Sequence, residues 1–538
     1  MLAASVKLNF LRYTTTICSR RCFHNSLLSL SDVSDTSAKK NRHKRAKQLQ
    51  YTFEERNKLL AELPREKLYP VISSRATVKH IQEVLQQYND IEHISEPGSE
   101  IPELEIRGRI IGLRAAGKNL AFYDVVENEQ KIQVVSNAKK LSEIAESEEE
   151  VDTNLLRIGD SIAAVGRPWR TKAGELSILC SRNIRLLSPT LLPLPDENAS
   201  KVIRKHNRVA ELKTFKDARK ILQARAYIIQ LISQYLIEND FLPVQTPQIS
   251  TQKGGATARP FRTEMSDGTD MFLRVAPELW LKRLVIGGID RVFEVGNCYR
   301  NEGIDATHNP EFTTCEFYAA FFSLQDLIKI TQNLLEFVAS RFVEKFPEFE
   351  SNCQVLLPEA HKKTECSSSS WKVIDFTEEL KLHLTNFRLE KEYLQTQCKE
   401  FDIIFNKEDS VDKLLDRLGA HFIEPKCISP TFVIRHPSVM APLAKESQGL
   451  SHRFELYING REYVNAYEEE NDPEVQLTKL KIQDPSVPDQ AFVDALKWGL
   501  PPTGGWGMGI DRLVMLLTNS ERIGDVLAFG DLMQVQRL

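Results

Sequence analysis

Alternating apolar and polar positions dominate one part of the chain, roughly residues 104–187. Alternation with a period of two predicts half-buried β-strands. Gly and Asn punctuate the gaps between five such runs, which read LEIRGRIIGL, NLAFYDVV, KIQVVS, DSIAAVGRPWR and LSILCSRNIRLL. Five short strands with tight turns predict a small Greek-key barrel over residues 101–190. A helix-like acidic segment, AKKLSEIAESEEEVD, interrupts the pattern between the third and fourth runs.

Helical spacing replaces this alternation after a proline-rich stretch, SPTLLPLPDENASK. Because prolines disfavour regular structure, residues 191–212 are predicted to be a linker. Apolar residues then recur every three to four positions over KDARKILQARAYIIQLISQYLIEND, which predicts a long helix at 216–240. The next string, FLPVQTPQIS, predicts a short strand that ends at Pro247. Mixed strands and helices fill the remainder, except for a loop-rich surface insertion predicted at 345–375.

Composition describes an ordinary globular protein. The chain has 538 residues, 42% of them hydrophobic, and a net charge of -4, so it can bury a large core. Length alone predicts about two to four domains. The nine cysteines include no C-x-x-C pair, which argues against a zinc ribbon or disulfide framework and favours free thiols in a reducing compartment. No apolar run approaches the ~20 residues of a membrane span, so we expect no membrane association.

The N-terminal region is basic. Residues 1–31 contain Lys7, Arg12, Arg20 and Arg21, several Ser and Thr, and no acidic residue, which predicts a mitochondrial transit peptide. The string RCFHNSLL within it resembles a two-step cleavage site of matrix proteins. A disordered basic arm is the plain alternative. Residues 32–100 are predicted to be a basic, helical extension, whose cluster KKNRHKRAK either contacts RNA phosphates or forms a solvated helix face.

Candidate chemistry concentrates in residues 293–318, FEVGNCYRNEGIDATHNPEFTTCEFY. This stretch reads as two antiparallel strands joined by a loop. Alternation places Arg300 on one face of the first strand with Glu294 and Cys298. On the second strand it gathers a carboxylate, a phenol and an aromatic ring, which suit a ligand surface better than a core. The guanidinium of Arg300 fits phosphate or carboxylate. Exposed salt bridges, which stabilise little, are the structural alternative.

A second candidate is HRFELYINGREYVNAYEEENDP, residues 452–473. Its Asn-Gly pair predicts a hairpin with a two-residue turn. That turn fixes a register in which Tyr457 pairs with Glu462 and Glu455 with Val464. The two glutamates then lie on one face, roughly 7–8 Å apart, and such carboxylates favour Mg²⁺ bound together with substrate phosphates. Asn465, Tyr467 and Glu469 fall on the opposite face, unless the strand bulges or twists near Val464.

A third candidate is TGGWGMGIDRLVMLLTNS, residues 503–520. It lacks the G-K-[ST] of a Walker A loop and the strand-to-helix context of a dinucleotide-binding fingerprint. Its glycines permit close approach of a ligand to the backbone. They lead into an apolar helix with Arg512 in its first turn, beside a backbone that a nucleotide can approach closely. An ordinary helix start with a surface arginine is the alternative.

Together these elements resemble the three signature motifs of class II aminoacyl-tRNA synthetases, in the order and spacing of the lysyl-tRNA synthetase family. The long helix with FLPVQTPQIS resembles motif 1, RVFEVGNCYRNEG to HNPEFTTCEFY motif 2, and GWGMGIDRLVMLL motif 3. The resemblance covers roughly residues 55–530. It implies an α+β fold: an N-terminal OB-fold β-barrel, then a class II synthetase catalytic domain at 213–538 with an antiparallel sheet flanked by helices. It also implies a homodimer formed through motif 1.

The resemblance assigns roles to the matching residues. Arg300 would hold the α-phosphate of ATP and the amino-acid carboxylate, and Arg512 would cover adenine and the γ-phosphate. These two are the expected catalytic residues. The bound carboxylate attacks the α-phosphate itself, so positioning and charge stabilisation suffice and no catalytic base is expected. The remaining ATP contacts would be Glu302, His308, Asn309, Phe312 and Glu455, and Mg²⁺ would be held by Glu455 and Glu462.

The charge of the pocket indicates the amino acid. A site for aspartate would need a cation, whereas the matching positions here carry Glu278, Glu316 and Glu469. A buried ammonium group is stable only when it is paired and hydrogen-bonded, which clustered carboxylates allow. The resemblance implies that the α-amino group is held by Gly255 and Glu278. It implies that the ε-amino group is surrounded by Glu316, Tyr318, Asn465, Tyr467 and Glu469.

The resemblance also gives the barrel a partner. OB folds stack unpaired bases on aromatic side chains. Phe122 and Gln133, with Arg109 nearby, match the positions that read the middle anticodon base in this subclass; otherwise a strand Phe is more often core. The implied reaction makes lysyl-adenylate from L-lysine and ATP, then lysyl-tRNA(Lys), in the mitochondrial matrix. An aspartyl- or asparaginyl-type relative and a catalytically degenerate RNA-binding paralogue are the alternatives.

Overall fold

The computed structural model describes residues 51–72, 77–89, 101–116, 119–142, 153–171, 173–196, 198–200, 204, 207–251, 258–357, 371–483 and 489–532. Several predicted features lie outside these described residues: the transit peptide, the basic cluster of the extension, most of the acidic segment, Gly255 and the middle of the insertion. Within the described ranges, no helix combines the length and apolarity that a membrane crossing requires. The chain divides into two compact units, Met1–Leu194 and Pro195–Leu538.

A ring of paired strands forms the centre of the first unit. Strand β1 pairs with both β2 and β4, and the chain of pairings runs from β2 through β3 and β5 back to β4. This closed order is the one that a five-stranded barrel requires. A sixth strand pairs with β4, so the fifth alternating run contains two strands. The strands are β1 (Leu104–Ala116), β2 (Leu120–Glu127), β3 (Gln130–Asn137), β4 (Ser161–Arg170), β5 (Leu176–Cys180) and β6 (Arg185–Ser188).

A buried arginine ties the N-terminal extension to this ring. The described residues of the first unit form the helices α1 (Phe53–Glu62), α2 (Arg65–Leu68), α3 (Ile81–Tyr88) and α4 (Ala138–Ser142). Arg56 of α1 is fully buried and donates to both carboxylate oxygens of Asp160, at 2.9 and 2.7 Å. It also donates to the carbonyl oxygens of Leu155 and Thr190, at 2.6 and 2.8 Å. The extension helix is therefore part of this unit.

The second unit is built on an eight-stranded sheet. Its order is β13-β14-β17-β18-β19-β12-β11-β7; the two edge pairs are parallel and the five pairs between them antiparallel. The predicted antiparallel sheet flanked by helices is thus confirmed. Its strands are β7 (Leu242–Pro243), β11 (Arg291–Tyr299), β12 (Glu311–Ala320), β13 (Lys372–Asp375), β14 (Thr431–Ile434), β17 (Arg453–Ile458), β18 (Arg461–Glu468) and β19 (Thr503–Gly509).

Smaller elements complete the unit. A three-stranded sheet contains β8 (Ile249–Ser250), β9 (Arg262–Glu264) and β10 (Asp270–Leu273), and a two-stranded one contains β15 (Glu446–Ser447) and β16 (Leu450–Ser451). The helices are α5 (Arg208–Thr214), α6 (Lys216–Glu238), α7 (Glu278–Ile286), α8 (Leu324–Lys345), α9 (Glu350–Cys353), α10 (Phe376–His383), α11 (Lys391–Glu400), α12 (Val411–Phe422), α13 (Pro473–Gln483), α14 (Gln490–Leu496), α15 (Ile510–Thr518) and α16 (Ile523–Val526).

The long helix predicted after the linker is confirmed as α6, and it packs with α8 against the large sheet. Two predictions need correction. The strand after it ends at Pro243 and not at Pro247, because the backbone N–H of Thr246 donates to Glu294 Oε2 at 3.1 Å and leaves the ladder. The predicted surface insertion is also too wide. Cys353 is buried in the main core, and Lys372–Asp375 forms the edge strand β13.

We expect Arg56→Ala to destabilise the first unit, because it leaves Asp160 as a buried, unpaired charge. Breaking such a pair lowers the free energy of unfolding by about 3–5 kcal/mol. Hydrogen–deuterium exchange of β4 peptides in the full chain measures this unit separately from the other. Arg65→Ala, at an exposed site one helix further on, should change protection by less than about 0.5 kcal/mol. Equal protection of β4 in wild type and Arg56→Ala would contradict the structural role of the pair.

Candidate active site

A glycine-rich strand forms one wall of a cavity of about 1190 Å³ in the second unit. Along β19, Trp506 and Met508 are buried in the main core, so the alternating glycines face the cavity. Gly507 lies between Glu316 of β12 and Asn465 of β18. Gly505 lies between Tyr318 and Tyr467 in the same way; a Cβ there would overlap Glu469 Oε1. The missing side chains leave the space in which a ligand fits.

The cavity brings together most of the predicted site. Its lining includes thirteen predicted residues: Glu278, Arg300, Glu302, His308, Asn309, Phe312, Glu316, Tyr318, Glu455, Glu462, Asn465, Tyr467 and Arg512. Glu469 is absent from this lining and is 1% exposed. Gly255 lies outside the described residues. The roles of these residues toward individual ligands remain predictions.

A bulge in the β17–β18 hairpin explains why both halves of the site meet. Tyr457 pairs with Glu462 as predicted, but Glu455 pairs with Asn465 and not with Val464. The register shifts because Tyr463 is an extra residue on β18, and its side chain packs into the main core. A shift of one residue reverses the faces of the strand. Asn465 and Tyr467 therefore share the cavity face with Glu455, which corrects the simple register.

Two arginines mark one end of the cavity. The guanidinium carbon of Arg300 lies 5.0 Å from the centre of the Phe312 ring, and its Nε has no hydrogen-bond partner among the described residues. Arg512 donates from Nη1 to the carbonyl oxygen of Glu462 at 2.8 Å, and its Nη2 lies 3.0 Å from His308 Nε2. Because a guanidinium only donates, His308 Nε2 accepts. Its Nδ1 then donates to Asp305 Oδ2, at 2.8 Å.

Two neighbouring carboxylates, those of Glu455 and Glu462, lie beside these arginines. Burial acts to raise the pKa of Glu455, but Arg453 and His436 outweigh it and hold that pKa below its ordinary value. Burial, with repulsion from Glu455, raises the pKa of Glu462 to about 7. A cation between them would relieve this repulsion. Two carboxylates are compatible with Mg²⁺ that takes its other ligands from phosphate and water; the described residues contain no group of three or more metal-ligating side chains.

A buried carboxylate, that of Glu316, also lines the cavity. Glu316 is 9% exposed, and the Tyr318 hydroxyl donates to its Oε2 at 3.3 Å. Burial, with repulsion from Glu278, raises the pKa of Glu316 to about 8, although Arg300 acts in the opposite direction. The Asn465 side-chain oxygen accepts from Arg453 Nε at 2.9 Å. Glu316 forms no ion pair with the other described residues, although Arg300 and Arg274 both act to lower its pKa.

A lysine that the sequence reasoning missed lies beside Glu278. Lys282 of α7 is completely buried, and its ammonium group donates to Glu278 Oε1 at 2.7 Å and forms an ion pair with Glu469. The Tyr467 hydroxyl donates to the same Glu278 oxygen, at 2.7 Å. The i, i+4 spacing of Glu278 and Lys282 was the available signal. It reads as an ordinary surface pair until the burial of both residues is known.

A second missed network joins the three motif-like elements. Arg225 of α6 forms an ion pair with Asp511 of α15 and donates to Thr313 Oγ1 at 2.8 Å. Asp511 Oδ2 accepts from the backbone N–H of Thr313, also at 2.8 Å. Asp511 thus fixes the start of β12, next to Phe312, against the helix that carries Arg512.

The predicted anticodon residues lie in the first unit, and strand register places them on one face of the ring. Arg109 pairs with Val126, Gln133 with Asp124, and Phe122 with Val135. Phe122 is half-buried, and the Arg114 guanidinium lies 5.7 Å from its ring centre. Gln133 is 2% exposed. Its amide donates to Glu175 at 2.9 Å and accepts from the Ser177 hydroxyl at 3.1 Å.

The chain is similar to known proteins over most of its length. Residues 200–533 match the family model described as tRNA synthetases class II (D, K and N). A protein named Lysine--tRNA ligase, mitochondrial, from Schizosaccharomyces pombe is 39% identical, covering 90% of this chain and 93% of its own. The protein of the same name from Saccharomyces cerevisiae is 34% identical, covering 81% of this chain and 82% of its own. A protein named Probable lysine--tRNA ligase, cytoplasmic, from Encephalitozoon cuniculi is 38% identical, over 83% and 90%.

The family match covers nearly all of the cavity-bearing unit, and the relatives are aligned over most of their length. The motif-like strings of the sequence are the strands and helix that line the cavity. The chain therefore belongs to the class II tRNA synthetases, and within them to the lysine–tRNA ligases.

Proposed function

We propose that this chain activates L-lysine with ATP to lysyl-adenylate and transfers the lysyl group to the 3′ end of tRNA(Lys). The observation that carries this proposal is the charge of the cavity. Arg300, Arg512, Glu278 and Glu316 line the same cavity. A site for aspartate would place a cation, and not the buried carboxylate of Glu316, against the side chain of its substrate. A retained set of arginines and carboxylates also argues against a degenerate, non-catalytic protein.

The chemistry follows from position and charge. Arg300 would hold the α-phosphate and the carboxylate of the amino acid, with Phe312 against the adenine ring. Arg512 would bind the γ-phosphate side of ATP, with Glu302, His308 and Asn309 as further contacts. Because the amino-acid carboxylate is itself the nucleophile, the protein supplies alignment and charge stabilisation. Glu455 and Glu462 would hold Mg²⁺, which neutralises the phosphate charge.

Lysine would bind across the remaining part of the cavity. Glu278, with Gly255, would hold its α-amino group. Glu316, Tyr318, Asn465 and Tyr467 would surround its ε-amino group, whose charge Glu316 would balance. The resemblance also assigns Glu469 to this group, although its carboxylate is paired with Lys282.

We propose that the first unit is an OB-fold domain that binds the anticodon. Phe122 would stack on the middle base, with Arg109 and Gln133 beside it. Base stacking on an aromatic ring contributes about 1–3 kcal/mol. For Gln133 to read a base, its amide would exchange the Glu175 and Ser177 contacts for base contacts. The chain would act as a homodimer through the region of α6 and β7, where Ile237 and Leu242 are exposed.

Two substitutions separate the two units functionally. We expect wild-type protein to catalyse pyrophosphate exchange with lysine alone among the twenty amino acids. Arg300→Ala should abolish exchange, because the α-phosphate loses its partner, while tRNA binding stays within about twofold. Phe122→Ala should leave exchange intact and weaken charging of tRNA(Lys) about 5- to 150-fold. Each variant is the control for the other; exchange with aspartate or asparagine but not lysine would exclude the proposed function.

Lysine affinity should rise with pH up to about pH 8. Below the Glu316 pKa of about 8, a bound ammonium must first displace a proton, so affinity rises by up to about tenfold per pH unit. Glu316→Gln removes this dependence and should raise the lysine KM about 10- to 100-fold, with a smaller change for ATP. Exchange kinetics between pH 6 and 9 measure both. Glu311→Gln, an exposed carboxylate on the same strand, is the matched control, and equal losses for lysine and ATP would refute the assignment.

We propose that the protein works in the mitochondrial matrix after removal of a transit peptide within residues 1–31. The absence of acidic residues from this segment and its four basic residues support import. N-terminal sequencing of protein purified from mitochondria should find a mature chain that begins after Arg21. Recovery of an intact Met1 from the cytosol alone would contradict this localisation.

A further inference from the structure

Arg225 of α6 is a largely buried cation that contacts the cavity wall without lining the cavity. Its side chain is 15% exposed, and that of its ion-pair partner Asp511 is 3% exposed. The second nitrogen of its guanidinium donates to Thr313 Oγ1 at 2.8 Å. Asp511 and Thr313 both line the cavity, the first on α15 and the second on β12. One guanidinium thus holds two separate elements of the wall.

These contacts close into a ring. Asp511 Oδ1 pairs with Arg225 Nη1, and Asp511 Oδ2 accepts from the backbone N–H of Thr313 at 2.8 Å. The Thr313 hydroxyl, which accepts from Arg225, donates to Asn297 Oδ1 of β11 at 3.2 Å. Charge-assisted hydrogen bonds are short and strong, and the planar guanidinium fixes the directions of both of its bonds. The start of α15 is therefore held at a fixed position relative to β11 and β12.

The two side chains assigned to adenine are sequence neighbours of this ring. Phe312 directly precedes Thr313, and Arg512 directly follows Asp511; both line the cavity. A base held between them needs contact on both of its faces, and carbon atoms attract best about 3.5–4.0 Å apart. A gap that is wider by about 0.5–1 Å loses roughly a quarter to a half of that attraction. The position of α15 relative to β12 therefore determines how well the base is held.

We propose that Arg225 is a positioning residue for the nucleotide: through its two partners it sets the gap between Phe312 and Arg512, and it does not touch ATP. This inference rests on the proposed function and deepens it. The ring contains no residue assigned to lysine, so we expect its loss to affect the nucleotide and not the amino acid. The competing interpretation is an ion pair that only stabilises the packing of α6 on the sheet.

The kinetics of Arg225→Met test the proposal, because methionine keeps a long apolar side chain but removes the charge and both donors. The ATP KM in pyrophosphate exchange should rise about tenfold, within the range that the loss of one base–aromatic stack produces. Competitive inhibition by adenosine, which has the base but no phosphate, should weaken by a similar factor. The lysine KM should stay within about twofold of wild type, because no lysine contact is removed.

Two further variants separate geometry from charge and from the helix itself. Arg225→Lys keeps the positive charge but lacks the planar group that serves two acceptors, so its ATP KM should lie about threefold above wild type. Lys220→Met is the matched control on the same helix, because Lys220 pairs with Glu348 at a partly exposed site that does not line the cavity. Such surface pairs stabilise little, so both KM values should stay within about twofold of wild type.

Several outcomes would overturn the proposal. An equal rise of the ATP and lysine KM values in Arg225→Met would do so, as would a higher ATP KM with unchanged inhibition by adenosine. A lower melting temperature with an unchanged ATP KM would show that the ion pair only stabilises the fold. If Arg225→Met does not fold, Arg225→Lys decides alone, and an ATP KM equal to that of wild type would refute the role of Arg225.

These measurements also separate this proposal from the proposed function. Wild-type protein that fails to exchange with lysine would refute the proposed function. Wild-type exchange with lysine, together with an unchanged ATP KM in folded Arg225 variants, would refute only the positioning role of Arg225.

Discussion

The lack of side chains on one face of β19 is the constraint on which the site depends. This strand lies inside the large sheet, and its other face is anchored in the core: Trp506 stacks on Phe317 with ring centres 4.8 Å apart and donates to Thr331 Oγ1 at 2.9 Å. A Cβ at Gly505 would lie 2.6 Å from Tyr318 Cε1. Because the glycines leave this face of β19 without side chains, the neighbouring strands β12 and β18 can direct their polar side chains over it. A rigid core and an open cavity are thus obtained from a single strand.

The bulge at Tyr463 is the second feature on which the site depends, because it determines which residues of β18 face the cavity. Without it, β18 would direct Asn465 and Tyr467 away from Glu455. The extra residue sends a tyrosine into the core and brings the predicted metal carboxylates and the predicted lysine contacts onto one surface. Catalysis by alignment needs this, because ATP and the amino acid must react side by side. A one-residue insertion in a strand can therefore join two binding functions.

Periodicity predicted the long helix and the faces of β11 and β12, and the resemblance implied the sheet that contains them. The two faces are predictable because the register runs without a shift from Arg291 opposite Ala319 to Tyr299 opposite Glu311. Periodicity failed where tertiary contacts decided the outcome. The sequence allowed a bulge near Val464, next to the adjacent apolar residues Tyr463 and Val464, but the turn alone could not decide whether it forms. The chain leaves the ladder after Pro243, where Thr246 is held by Glu294, which is distant in sequence. Lys282 looked like a surface charge, because helical spacing reveals a partner four residues away but not the depth of the helix.

These features fit together through charge. A cavity that combines Arg300 and Arg512 with Glu278 and Glu316 orients an amino acid that carries opposite charges, before any specific contact is considered. The buried carboxylates have a cost, because burial and repulsion between like charges disfavour the ionised form, as the raised pKa of Glu316 records. Lys282 lowers that cost without filling the cavity, since it sits behind the wall. Removing more of the negative charge would stabilise the empty protein but weaken its attraction for a second ammonium group. Selectivity for a substrate with two ammonium groups therefore depends on the negative charge that the protein's own cations leave unbalanced.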